Sequence, residues 1–436
     1  MDKFKPIREW PGKVSYKEGD VLVVFGEVFQ RGYVNGLIDE ALKHKMEVIY
    51  STVGRRDGEG NLRPLTAEEI TEKGQTPLIN VPLEAGFDLT PSEKSRSPVD
   101  QLQGLKMSQW KEAELDWAQV AESELKGQDS FRKRTREFLE QLDEMIPEGA
   151  NVLFAHTMAG GVPRAKVILP VMNKVFKGHG ERYASSKEFW ESTLGRFCDR
   201  SFMEVTANTF HHLIDLSKSL REKREGRGAK VSYVAFGYHG NEILIRGEYR
   251  WQSYSPYLQG FAKVELEEIA QRAWDEGISA CVFNAPEILT NSSSIFLGVE
   301  VALYPLMAAI RKEGGSDHPK VKTLIQNCEK LIDPQVKFED LMKITDAYFG
   351  SSLIQDEFSK FNEWPQHNGP QQMEMMRTTS DKIIDLHLDS KRLMTQDLSE
   401  IVFHSCGKVM LREGFRPASP VWWIGHDACA KEFLKN

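Results

Sequence analysis

The segment Val21-Leu-Val-Val-Phe25 is an unbroken apolar run bracketed by Asp20 and Gly26. Apolar, β-branched residues without alternation mark a strand covered on both faces, as in a parallel sheet. Apolar positions then recur at helical spacing (Val34, Leu37, Ile38, Ala41, Leu42) between Gly32 and Lys45, and a second such strand, Glu47-Val-Ile-Tyr-Ser51, follows. Strand, glycine turn, helix and strand in close succession predict a βαβ unit with a right-handed crossover. Further strands are predicted at 78–81, 151–155, 230–236 and 279–284, separated by helices at 130–145, 206–223 and 263–276. This alternation predicts an α/β fold, a doubly wound parallel sheet of the Rossmann type.

Two regions depart from a minimal version. Residues 84–128 are polar and loop-rich until 110–125 turns helical, which predicts an insertion. Beyond 326 the alternation is expected to stop. The division is therefore a nucleotide-binding catalytic domain over 1–325 and a C-terminal extension over 326–436. The extension carries Phe338, Tyr348, Phe349, Phe358, Phe361, Trp364, Trp422 and Trp423, too many aromatics for a solvated tail, and is expected to pack on the first domain.

Composition narrows the function. The 436 residues hold 56 Lys+Arg against 64 Asp+Glu, a formal charge of −8. That excludes general nucleic-acid binding, which needs a basic face. Five scattered cysteines argue against a disulfide scaffold and for a reducing compartment. The first residues lack the apolar core of a signal peptide, and the longest apolar stretch, 294–310, carries Glu300 and Pro305. A cytoplasmic protein without a membrane span is expected. His404-Ser-Cys406 and His426-Asp-Ala-Cys429 miss the spacing of zinc pairs, so no metal site is expected.

The candidate chemistry starts at the first turn, Gly26-Glu-Val-Phe-Gln-Arg-Gly32-Tyr-Val-Asn-Gly36. Glycines there permit the sharp turn, the approach of a phosphate and close helix–sheet packing, and the helix N-terminus offers N–H groups to a pyrophosphate. The spacing is Gly-x5-Gly-x3-Gly, not the general dinucleotide fingerprint. After the second strand, Arg55 and Arg56 lie where the adenosine ribose sits in such folds. Arginines there accommodate a 2′-phosphate, which favours NADPH, with NADH the alternative.

From these residues onward the chain resembles the short-chain dehydrogenase/reductase superfamily, and within it the enoyl-acyl-carrier-protein and trans-2-enoyl-CoA reductases. The glycine turn is similar to theirs. Phe154-Ala-His156-Thr157-Met-Ala-Gly160 resembles their fourth-strand segment, and Val234-Ala-Phe-Gly-Tyr238 the fifth-strand stretch with a substrate-side tyrosine. Tyr254-Ser-Pro-Tyr257-Leu-Gln-Gly-Phe-Ala-Lys263 resembles the catalytic tyrosine–lysine motif, and Asn284-Ala-Pro286-Glu-Ile288-Leu-Thr290 the loop that meets the nicotinamide. Two features depart from the pattern. Gln259 stands where Tyr-x3-Lys would put its tyrosine, leaving Tyr254 (eight residues between) or Tyr257 (five between). The stretch 241–253 between the tyrosines is an unexpectedly long loop.

The resemblance implies NADPH-dependent reduction of the 2,3 double bond of an enoyl thioester, carried by coenzyme A or an acyl carrier protein, and leaves a homo-oligomer open. It implies catalytic roles for Tyr254 or Tyr257, Tyr238 and Lys263. It implies cofactor contacts from Gly26, Gly32, Tyr33, Gly36, Thr52, Arg55, Arg56, His156, Thr157, Lys263, Pro286, Ile288 and Thr290. His156 reads as a packed strand-end residue rather than an acid or base. Two alternatives stay open: a 3-oxoacyl (carbonyl) reductase on the same scaffold, and a nucleotide-binding scaffold without catalysis.

Overall fold

The computed structural model describes residues 4–9, 14–90, 96–253, 258–360, 363 and 366–435. Seven strands build one parallel sheet: β1 Val21–Phe25, β2 Glu47–Thr52, β3 Leu78–Pro82, β4 Val152–His156, β5 Val231–Gly237, β6 Ala280–Asn284 and β7 Val421–Trp423. Their order is β3-β2-β1-β4-β5-β6-β7. In the register of β1, Val21 lies beside both Glu47 and Val152. The order reverses between β1 and β4, which opens a crevice at their carboxyl ends where such sheets bind ligands.

Every side chain of β1 is fully buried, which explains its unbroken apolar run. Val21, Val23 and Phe25 face one side and pack with Phe131, Phe138 and Leu142. Leu22 and Val24 face the other, with Leu37, Ile38, Val402 and Cys406. The helices concerned are α1 Val34–Lys43, α2 Trp117–Met145, α3 Leu258–Asp275 and α4 Thr395–Gly414.

Four details differ from the sequence expectation. Helix α2 begins well before residue 130, because the Asp116 carboxylate accepts from the N–H groups of Ala118 (3.0 Å) and Gln119 (3.2 Å) and caps it. The helix expected over 206–223 starts in a π-helical turn, Met203–Asn208, and breaks at Ser217, whose hydroxyl meets Leu213 O and Tyr233 OH, each at 2.6 Å. The supposed loop 241–253 is an antiparallel hairpin of Gly240–Ile245 and Glu248–Ser253. Arg246 (φ 48°) and Gly247 (φ 83°) form its two-residue turn, a left-handed pair suited to the twist of a hairpin.

The fourth difference concerns the C-terminal region. Strand β7 pairs with β6 (Val282 beside Val421, Asn284 beside Trp423), and helix His426–Lys435 follows it. Helix α4 packs along α1. The strand–helix rhythm therefore resumes after 385, and the helices of 319–385 sit between the sixth strand and the seventh. Phe338, Tyr348, Phe349 and Trp423 are buried in the main core, whereas Phe361, Trp364 and the side chain of Phe358 lie outside the described residues. Among the described residues no helix is long and apolar enough to cross a membrane, and no cluster of His, Cys, Asp and Glu could hold a metal.

Candidate active site

A cleft opens at the carboxyl ends of β1, β4, β5 and β6. Gly32, Tyr33, His156, Thr157, Tyr238, Lys263, Ile288 and Thr290 all line it, together with Glu27, Phe236 and Glu287. Residues from five separate stretches of the sequence thus meet in one place.

The turn after β1 forms its floor. Gly26 has φ +127°, and a Cβ there would lie 2.5 Å from Thr157 Oγ1 and 3.1 Å from Met158 N. Its own N–H donates to Ser51 Oγ at 2.8 Å. No side chain caps the start of α1 among the described residues, which suits an anion arriving at that end. Gly36 stands elsewhere. A Cβ on it would lie 1.9 Å from Phe403 O, and one on Gly407 would lie 2.1 Å from the Gly36 carbonyl carbon. These glycines let α1 and α4 touch backbone to backbone, so the packing is helix against helix rather than the expected helix against sheet. Gly36 is not among the residues lining the cleft.

A carboxylate stands at the end of β2. Glu27, directly after Gly26, accepts from Thr52 Oγ1 (3.1 Å), Val53 N (3.1 Å) and Arg55 (3.2 Å), and pairs with Lys73. Burial works to raise its pKa, but the bonds from Lys73, Val53 and Arg55 outweigh burial and hold it below the usual range. Arg56 pairs with Glu84 at 3.1 Å. Both arginines expected to face a phosphate are thus engaged by acidic side chains, and neither they nor Thr52 line the cleft.

Around Lys263 and Tyr238 the cleft gathers several titratable groups. Lys263, on α3, is buried and donates from Nζ to Phe236 O at 2.6 Å, and burial brings its pKa down to about 7. Tyr238 donates to Glu287 Oε2 at 2.6 Å. Burial pushes the Glu287 carboxyl up to about 7, against the opposing effect of that hydrogen bond. Tyr33 donates to Pro286 O at 2.6 Å and stacks on Phe236. Thr290 N donates to Ser293 Oγ at 2.8 Å, which ties down the loop after β6. His156 bonds Thr209 through Nε2 at 2.8 Å, and burial, then the Lys263 cation, push its pKa well below the ordinary value. Tyr254 and Tyr257 lie outside the described residues.

Residues 3–433 match the sequence family described as enoyl-acyl carrier protein reductase FabMG. The chain belongs to that family. It is accordingly an oxidoreductase acting on the carbon–carbon double bond of an enoyl thioester with a nicotinamide cofactor. Two solved structures agree with the assignment. The apo structure of FabMG, described as a novel type of enoyl-acyl carrier protein reductase, is 43% identical, covers 100% of this chain and 99% of its own, and superposes with a TM-score of 0.94. An NADH-bound structure of FabMG is 38% identical over 99% of both chains, with a TM-score of 0.78. No curated protein sequence matched the chain.

Two acidic residues of this FabMG-family site were not singled out from the sequence. Glu27 was signalled by its position next to the turn glycine, and Glu287 by its place inside the loop after β6. Each is an ordinary surface residue type until the fold buries Glu27 and half-buries Glu287 against Tyr238. A group with a pyrophosphate, a ribose and a nicotinamide fits the cleft. The turn has no room for a Cβ at Gly26, which itself is not among the residues lining the cleft, the helix start is uncapped, and the buried Lys263 lines the cleft.

Proposed function

We propose that this cleft reduces the 2,3 double bond of an enoyl group carried on an acyl carrier protein, with NADH as the preferred cofactor. The observation that carries the cofactor choice is the Glu27 carboxylate, ionised and packed against Thr52 Oγ1 and Val53 N at the end of β2. A ribose 2′-hydroxyl can donate to a carboxylate there, whereas a 2′-phosphate meets like charge. Sequence favoured NADPH through Arg55 and Arg56, but Glu27 and Glu84 hold those guanidinium groups. The NADH found in a FabMG structure supports the same reading.

When bound, the cofactor supplies a hydride to the β-carbon. The chain's part is to hold the partners and receive the charge that appears on the thioester oxygen. A phenol aimed at that oxygen stabilises it as an oxyanion-hole donor does. We assign this role to Tyr254, with Tyr257 as the alternative in the shorter register. Tyr238 stands on the substrate side as a second donor. Lys263, fixed by Phe236 O, is placed to bind the nicotinamide ribose hydroxyls. Gly26, Gly32, Tyr33, Thr157, Pro286, Ile288 and Thr290 shape the rest of the cofactor bed.

Absorbance of the reduced nicotinamide, followed with enoyl- and 3-oxoacyl thioesters in parallel, tests the proposal. Consumption with the enoyl thioester is expected. Consumption with the 3-oxoacyl thioester alone would favour carbonyl reduction, and tight cofactor binding without turnover would favour a scaffold.

A further inference from the structure

The Tyr238–Glu287 pair has a property that neither member has alone. Their oxygens lie 2.6 Å apart, inside the cleft, and Tyr238 is the donor. A phenol has one proton. While Glu287 is ionised it is an acceptor only, and the Tyr238 proton is directed at it. Once Glu287 carries a proton, its own O–H can donate to the Tyr238 oxygen, and the phenolic O–H can turn into the cleft toward a substrate oxygen.

We propose that Glu287 is a positioning residue whose protonation decides where the Tyr238 hydroxyl points, so that enoyl reduction proceeds in the protonated form of the pair and declines as pH rises. The proposal deepens the reading of the site as an enoyl reductase and rests on it.

Burial supports it, because a carboxyl raised to about 7 is protonated below that value and ionised above it. The same loss of charge removes an anion from beside the thioester oxygen, where negative charge must develop. Other ionisable groups line the same cleft from the neighbouring elements. Lys263 comes from α3, with a pKa also near 7. His156, at the end of β4, is held neutral by burial and by Lys263. Glu27, Arg31 and Tyr33 come from the turn after β1. Tyr33 bonds the carbonyl of Pro286, next to Glu287, and so fixes the backbone that carries it. Lys263, also brought to about 7 by burial, is the competing source of a falling limb. A falling limb caused by Lys263 would survive replacement of Glu287, and one caused by Glu287 would not.

The test compares pH profiles of turnover for the parent chain, Glu287→Gln and Tyr238→Phe, with an infrared titration of the protonated-carboxyl band in each. In the parent, turnover should fall as pH rises through about 7, and the carboxyl band should disappear over the same range. Glu287→Gln, neutral at every pH, should lose the falling limb and the Glu287 part of the band, leaving the part from Glu204, whose carboxyl burial also raises to about 7. Tyr238→Phe removes the donor that favours the ionised carboxylate, so the midpoint of the band should move up, whether or not the variant turns over. The proposal is overturned if Glu287→Gln keeps the limb, if it binds NADH yet turns over at no pH, or if the midpoint stays put in Tyr238→Phe. A parent chain that shows the band and its shift but reduces no enoyl thioester would refute the reading of the site while leaving the coupling of the two side chains intact.

Discussion

At Gly26 a valine would drive its Cβ into Thr157 and the Met158 backbone and demand a φ that side chains avoid. Gly26→Val is therefore expected to abolish NADH binding, as read by fluorescence titration, and normal binding would move the cofactor elsewhere. One residue along, Glu27→Gln removes the charge that repels a 2′-phosphate and loosens Arg55 from its carboxylate partner. The ratio of NADPH to NADH dissociation constants should fall toward one. Titration showing that the parent already binds both equally would refute the role given to Glu27. For the tyrosines, loss of an oxyanion donor typically costs about 10²–10³ in turnover. Tyr254→Phe should show a loss of that size with NADH affinity near the parent's. Lys263→Ala should weaken NADH binding as well. If Tyr257→Phe alone removes activity, the shorter register is correct. Gly32, Tyr33 and Lys263 were legible in the sequence as members of one site, and the cleft brings them together, whereas Tyr254 and Tyr257 lie outside the described residues. Glu27 and Glu287 were not, because burial and partners from 25 or more positions away make them what they are.

Between elements, the closest approach is that of α1 and α4. Gly36 and Gly407 leave no space for a side chain on either helix. Gly36→Val or Gly407→Val should push the helices apart and lower the melting temperature steeply. If the fold survives, NADH binding should weaken too, since α1 presents its N-terminus to the cleft. An unchanged melting temperature in either variant would contradict this packing. The buried strands were legible as continuous apolar runs, since a strand covered on both faces shows no alternation. The hairpin was read as a loop although Arg246-Gly247 sits between the apolar Ile243-Leu-Ile245 and the alternating Glu248-Tyr-Arg-Trp251. Its inner strand, with Ile243, Leu244 and Ile245 all buried, has the same unalternating pattern as the central strands and so gave no hairpin signature. Strand β7 spans three residues, too few for any periodicity to register.

For the molecule as a whole, the region after 326 contributes α4 along α1 and β7 beside β6. We propose that it is one folding unit with the first 325 residues. Truncation at 326 should uncover the faces of α1 and β6 and produce aggregates on size-exclusion chromatography. A soluble truncated chain that still reduces enoyl thioesters would contradict that proposal. Sequence showed the doubly wound class and the nicotinamide-dependent chemistry. The return of the chain to the sheet depends on contacts between residues 282 and 421, and no local pattern carries those. The most direct test of the central claim is the absorbance of NADH mixed with the full chain and an enoyl thioester on acyl carrier protein. Oxidation of NADH with formation of the saturated thioester is expected, faster than with NADPH and absent with the 3-oxoacyl thioester. NADH that stays reduced with the enoyl thioester, or is oxidised by the 3-oxoacyl thioester alone, would contradict it.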